Sequence, residues 1–390
     1  MRGTKREAGH GSFRVSGLVT AVGAVMMLLA IGTLGCGGGN SGVAPFAGTW
    51  VANSGGPNAL HFPGADFVLG GTFPYPPTPR LTSPFVSPQD TLFDSNNNLW
   101  VVDGGNGAGV GSAIFRFLFN QVISLNTTSN PAPNFVIKAI TGGTTFVFPQ
   151  FAAFDAAGDL WVSDSGANAI FKFSTAQLST GAGFSGTPAA VFINPAVPPN
   201  IFNGPLGIAF DASGNLWVEN NGGVTIVEIA AATVNAAAGT STPPLATVLT
   251  TNVPPPGGLA NINNPWGILF DANGNMWITN EQLSVSNCSG SVVEFTKAAI
   301  SVGGPITPPA NVVITQSAIA GTSSLCDPNG ITMNKAGNIV VANAGGNTLA
   351  EYKASQITSS GNPTPHTFVV GLATLLNGPA GLTYGPLSLK

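Results

Sequence analysis

Short apolar runs and polar, Gly-rich breaks alternate along most of this chain, and the breaks recur in register. Four stretches are near copies: "FDSNNNLW" from Phe93, "FDAAGDLW" from Phe154, "FDASGNLW" from Phe210 and "FDANGNMW" from Phe270. A fifth, "MNKAGNIV" from Met333, keeps the pattern without Trp. Aligned on Trp100, Trp161, Trp217, Trp277 and Val340, the units are 61, 56, 60 and 63 residues apart. Each has one grammar. A first apolar run ("GIAF", "GILF", "GITM") leads into the Asp-rich break. A second ("LWVEN", "MWITN", "IVVAN") and a third ("AIFKF", "VTIVEI", "SVVEF", "TLAEY") follow, and a variable tract holds a fourth ("PAAVFIN", "ANVVIT", "HTFVV"). Runs this short, bounded by Gly, Asn and Pro, have strand length. Four strands per unit at a long period predict the blades of a propeller.

The ends supply one more blade. "GTWVANSGGPNALHF" from Gly48 reads as a second and third strand with no first. "NGPAGLTYGPLSLK" at the far end reads as a first strand with no second. Pairing of the C-terminal strand with the N-terminal ones would close the ring and remove the open edges of a five-unit arc. The expected fold is therefore all-β: a six-bladed β-propeller of four-stranded blades.

The repeated "DANGN" has two readings. As a hairpin corner, the Asp carboxylate caps backbone N–H groups two residues on, and Gly takes the left-handed position of a bulged turn. Asn97 replaces that Gly in "DSNNN" and Asn334 replaces the Asp in "NKAGN", and Asn serves in both roles. As a calcium loop the pattern lacks ligands. The twelfth residue from Asp271 is Gln282 and from Asp211 is Gly222, where a bidentate Glu is needed. Ala157 and Ala336 stand at the third position and offer no side-chain oxygen. The break is expected to be a corner.

The stretches "GPLGIAFDASGNLWVENNGGVTIVEI" and "NPWGILFDANGNMWITN" resemble the NHL-repeat family of six-bladed propellers, over about 340 residues. The resemblance implies the fold and leaves function open, because such propellers include binding platforms, lactonases and lyases.

The N-terminus reads as an export signal, residues 1–35. Arg2, Lys5, Arg6 and Arg14 form a basic start, and an uncharged run containing "AVMMLLAIGTLG" follows. Cys36 after Leu34-Gly35 resembles the lipoprotein box, in which the Cys becomes the lipidated terminus; an ordinary export signal or an uncleaved anchor are the alternatives. The Gly/Ser-rich residues 36–47 suit a tether, and residues 48–390 form the propeller. The protein is expected outside the cytoplasm, held at the membrane by its N-terminal lipid or secreted.

Charged residues are 7% of the chain. Past residue 35, Lys+Arg fall to 8 (12 less Arg2, Lys5, Arg6 and Arg14) and Asp+Glu to 15 (16 less Glu7), a net near −7. That balance excludes a nucleic-acid partner, which needs clustered cations. Cys288 and Cys326 remain, and in an oxidising compartment they are expected to bridge adjacent blades.

Propeller ligands sit on loops at the channel mouth opposite the corner. The second strands end there on Asn53, Asp103, Asp164, Asn220, Asn280 and Asn343. These side chains either cap loop backbones or form a polar ligand ring for a protein, a glycan or a small polar molecule. The loops before the first strands add Asp90, Gln150, Asn203, Asn264, Asn329 and Asn377. Resemblance to gluconolactonase-type propellers implies one divalent cation at that mouth, with Asp90, Glu219 and Asn329 as candidates and Asp103, Asp164 and Glu281 as further ones. Otherwise no cofactor is expected. His61 and His366 are placed in outer-strand regions, away from the mouth histidine on which streptogramin-lyase propellers rely. No zinc cluster, Gly-x-Ser-x-Gly elbow or phosphate loop is present in the sequence. A binding or scaffolding module is the favoured reading, with a lactonase-like hydrolase and a structural envelope protein as alternatives.

Overall fold

The computed structural model describes residues 48–64, 71–73, 80–107, 109, 111–123, 130–138, 146–250, 261–282, 289–319, 322–371 and 374–385. The expected signal and tether, Cys36 and Cys288 lie outside the described residues.

The fold is a six-bladed β-propeller. Blades 1 to 5 start from the innermost strands Pro88–Phe93, Pro149–Phe154, Pro205–Phe210, Pro265–Phe270 and Pro328–Met333, each followed outward by antiparallel second, third and fourth strands. Blade 6 is split as expected. Its innermost strand, Pro379–Gly385, pairs antiparallel with Gly48–Asn53, which pairs with Asn58–Pro63 and then Arg80–Leu81. The seam continues into the adjoining turn: Ser54 N donates to Gly378 O at 3.1 Å and Gly55 N to Asn377 O at 3.0 Å.

Each innermost strand begins with Pro, whose missing N–H is tolerated at a strand's first position. Two residues on, blades 3 to 6 carry Gly207, Gly267, Gly330 and Gly381. A Cβ on Gly267 would lie 2.4 Å from Asn329 O, and one on Gly330 would lie 2.5 Å from Ala380 O. The innermost strands thus approach closely enough around the channel to exclude a side chain.

Six apolar clusters fill the six spaces between neighbouring blades. The Phe that opens each "FD" motif belongs to this packing. Trp100 meets Phe154 of the next blade edge-on at 5.6 Å, Trp161 meets Phe210 at 6.1 Å and Trp217 meets Phe270 at 6.0 Å. The repeat therefore encodes a blade and its contact with the preceding one.

Beyond the four strands of its own chain, a blade's sheet gains a strand from its neighbour. The chain between third and fourth strands reaches back and adds a short parallel strand to the rim of the preceding blade. Gly183–Phe184 lies on Phe135–Ile137, Gly239–Ser241 on Ala190–Ile193, Gly304–Ile306 on Thr247–Thr250 and Gly71–Phe73 on Thr367–Val369. In blade 5 this shrinks to Gly361 against Ile314. The straps cover outer edges that would otherwise present unpaired N–H and C=O groups. Runs of two or three residues rich in Gly carry no alternation, so the pattern along the chain does not reveal them.

Candidate functional site

The Asp corners are fully engaged. Asp211 Oδ1 accepts from Ser213 N at 2.8 Å and Asn215 N at 3.0 Å, while Oδ2 accepts from Asn215 Nδ2 at 2.9 Å and the Trp217 indole at 3.1 Å. Asp94 and Asp271 repeat the scheme, and Asp155 repeats it without the amide bond, because Asp159 stands at the Asn215 position. The Gly positions hold φ of +81° at Gly158, +83° at Gly214 and +80° at Gly274, and Asn97 takes +60° in their place. The last corner residue has its own task. Asn98, Asp159, Asn215, Asn275 and Asn338 each accept from the first backbone N–H of the short helical turn that follows the third strand. Carboxylates occupied by backbone N–H groups in this way are not cation ligands.

The ring at the other mouth is also bonded to its loops, except that Asn343 Oδ1 has no partner among the described residues. Asn53, Asp103, Asp164, Asn220, Asn280 and Asn343 are at most 2% exposed. Asp103 accepts from Val86 N at 2.6 Å, Ser87 N at 2.9 Å and Gly105 N at 2.8 Å, and Asp164 accepts from Val147 N, Phe148 N and Ala167 N. Asn220 accepts from Asn203 N at 3.0 Å and donates to Ile201 O at 2.9 Å; Asn280 and Asn53 repeat this with Asn263 and Asn261, and with Asn377 and Leu375. Asn343 donates to Ser324 O and Thr348 Oγ1. The choice between Asp and Asn follows from the loop. Where it offers only N–H groups the residue is Asp; where it also turns in a carbonyl the residue is Asn, which can donate. Burial pushes the Asp103 and Asp164 carboxyls up, and the backbone N–H groups oppose it. The side chains of all six bond to the adjoining loops.

The channel is lined by the innermost strands and holds a cavity of about 160 Å³ bounded by Asp90, Thr91, Phe151, Thr383 and glycine backbone. Asp90 stands where four other blades carry Gly. Its carboxyl accepts from Thr91 N at 2.8 Å and Ala152 N at 3.2 Å, and burial pushes its pKa up to about 8. Glu219 is fully buried behind Gly207, and neither carboxyl oxygen has a hydrogen-bond partner among the described residues. Desolvation raises its pKa well above the usual range. Asn329 is buried in blade 5. The three candidate metal ligands thus come from blades 1, 3 and 5. Among the described residues no group of three or more His, Cys, Asp or Glu side chains converges. Glu281, at the mouth of blade 4, accepts the Trp266 indole N–H at 2.8 Å, and burial and Asp327 push its pKa up.

His61 stacks on Trp50 at 4.9 Å, and His366 lies 3.3 Å from Glu351 at the rim. Cys326 is fully buried just before blade 5.

A second ring went unread in the sequence. The third-strand residue opposite the Trp or Val is ionisable in every blade: Arg116, Lys172, Glu228, Glu294, Glu351 and His61. Its signal was plain, one ionisable letter inside each third apolar run ("AIFRF", "AIFKF", "VTIVEI"). Beside Arg116 and beside Glu228, on the corner side, pockets of about 300 Å³ and 260 Å³ open between blades.

No family model matches the sequence, and no curated protein matches it. Among solved structures, the chain is similar to a protein of unknown function from Bacteroides caccae, with a TM-score of 0.56 at 10% identity, over 88% of this chain and 100% of that one. It also overlaps a putative 6-phosphogluconolactonase from Bacteroides fragilis (TM-score 0.44, 11% identity, 87% and 98% covered) and virginiamycin B lyase from Staphylococcus aureus (0.39, 16%, 71% and 70%). At these identities the likeness supports the fold alone.

Proposed function

We propose that this chain is an exported NHL-type propeller, lipid-anchored through Cys36, that docks a partner protein on the mouth opposite the Asp corners. The observation that carries the reading is the division of that mouth. On blades 6 and 1 the pinned loops expose Leu375 (42%) and Val86 (46%), and Val197 (74%) stands out before blade 3. Blades 4 and 5 offer Trp266 with Glu281 and Asp327. Apolar side chains on one side of the mouth and a carboxylate pair on the other suit a protein surface with an apolar contact and a basic group. Loops fixed by buried Asp and Asn residues lower the entropic cost of such docking.

The test is crosslinking and affinity capture of the full chain from cells that express it. A partner retained by the wild type is expected to be lost from Val86→Asp/Leu375→Asp and weakened by Glu281→Gln. Equal retention by all three proteins refutes mouth-face docking. Replacing Cys36 by Ser is expected to release the protein from the membrane fraction.

A further inference from the structure

The ionisable ring on the third strands is satisfied internally in most blades. Arg116 donates to Asn134 Oδ1, from Nη2 at 2.7 Å, and to Leu178 O. Lys172 lies 3.0 Å from Asp159. Glu294 accepts from Asn275 Nδ2 at 2.9 Å and Asn311 Nδ2 at 2.5 Å. Glu351 accepts from Asn338 Nδ2 and the Thr367 hydroxyl, both at 3.0 Å, with His366 beside it.

The side-chain partners come from three places in the repeat: the last corner residue, the residue just before the fourth strand and, for Glu351, the first residue of that strand, Thr367. Blade 3 keeps the third of these, Thr247, and fails Glu228 at the first two. Asn215 turns its amide to Asp211 Oδ2 at 2.9 Å, and the position before the fourth strand is Ala246, which has no polar side chain. Among the described residues the Glu228 carboxyl has the Thr247 hydroxyl and no other side-chain partner.

The missing partner's place is open space. The cavity of about 260 Å³ there has Glu228, Thr247 and Ser213 on the blade 3 side and Lys297, Ile300 and Ser301 on the blade 4 side. The stem of Lys297 runs beside Gly274, where a Cβ would come within 3.1 Å of its Cδ. Lys297 and Glu228 line one pocket yet form no ion pair with each other, in a region where Lys172 and Asp159 of blade 2 do close on one another. A half-buried carboxyl and an ammonium held apart across a small pocket match a ligand that carries both opposite charges. The volume lies just under the small end of ligand sites, about 300 Å³, which restricts the occupant to one compact molecule.

We propose that the pocket between blades 3 and 4 binds a small zwitterion of the amino-acid class, its ammonium on Glu228 and its carboxylate on Lys297. This site is on the corner side of the ring and is independent of docking at the mouth.

The test is calorimetric titration of the full chain with glycine, alanine, serine and β-alanine, and with the methyl ester and N-acetyl form of each. At least one free amino acid is expected to bind, with its ester and its N-acetyl form at least tenfold weaker. Glu228→Gln and Lys297→Met are each expected to weaken binding at least tenfold, and Lys138→Met to leave it unchanged. Thermal melts report whether each variant folds. Lys297 is exposed, so Lys297→Met keeps the test decisive if Glu228→Gln does not fold. No binding at millimolar concentration overturns the proposal, as does equal binding of ester and parent or indifference to Lys297→Met.

Discussion

Asp211 Oδ2 accepts the indole N–H of Trp217 at 3.1 Å, so one carboxylate ties the hairpin corner to the interblade core. Blade 5 supports this by exception. Its corner residue is Asn334, which keeps the two backbone bonds to Ala336 N and Asn338 N, and its Trp position is Val340. The second acceptor and the indole donor are absent together. The Asp in "FDANGNMW" is therefore explained by the Trp as well as by the turn. Replacing Asp211 by Asn is expected to cost about 1–3 kcal/mol, because a buried indole N–H loses its acceptor. Trp217→Phe costs more, through lost packing. The double variant is expected to be less destabilised than the sum of the two singles, as measured by urea denaturation. Strict additivity would show that the indole bond does not couple them.

Glu219 is a buried defect that the repeat itself shows how to repair. At the same place in blade 2, Ser163 donates to Leu206 O at 2.6 Å, and in blade 4 Thr279 donates to Asn329 O. Each hydroxyl bridges to the innermost strand of the next blade. Glu219 has the corresponding carbonyl, Trp266 O, beside it: both Glu219 Oε2 and Trp266 O lie within 2.7 Å of a Cβ built on Gly207. Glu219→Thr is expected to stabilise the fold by about 1–3 kcal/mol, since it replaces a desolvated carboxyl with a group that can be satisfied. A lower denaturation midpoint for Glu219→Thr than for the wild type would mean that the carboxyl has a partner which the variant loses.

The blades and their closure were legible because their causes are local and repeated. Alternating apolar runs, corner Asp residues and a first strand without a second are each visible in a few letters. The straps were not, because a two-residue parallel pairing such as Gly183–Phe184 on Phe135–Ile137 depends on which backbone lies opposite. The ring of Asn53, Asp103, Asp164, Asn220, Asn280 and Asn343 could be read from the ends of the second strands. Its bonds needed the structure, because which loop N–H and C=O groups face a strand-ending Asp or Asn is not written in the sequence. Glu228 was visible as a letter, but its missing partners depend on which side chains the fold brings against the third strand.

Cys288 and Cys326 are expected to form a disulfide across blades 4 and 5. A bridge over 38 residues would stabilise by about 4 kcal/mol through lost chain entropy in the unfolded state. Peptide mapping with and without reductant should show one linked pair in protein taken from outside the cytoplasm. Two alkylatable thiols there would refute the bridge.

Asp90 sets a pH dependence with a definite sign. Its carboxyl has an ordinary pKa near 3.8, and burial in the channel wall pushes it up to about 8. The folded state therefore holds this proton more tightly than the unfolded state. The stability tied to the proton is fully present below pH 4 and is lost progressively as pH rises toward 8. Above pH 8 the fold must carry a charge whose bonds among the described residues are to Thr91 N and Ala152 N. Asp90→Asn keeps an acceptor for those donors and cannot ionise. The variant is expected to show a flatter midpoint between pH 4 and 8 and a higher one than the wild type at pH 8. Denaturation series at several pH values decide it, and parallel curves for the two proteins would show that Asp90 is charged in the fold at neutral pH.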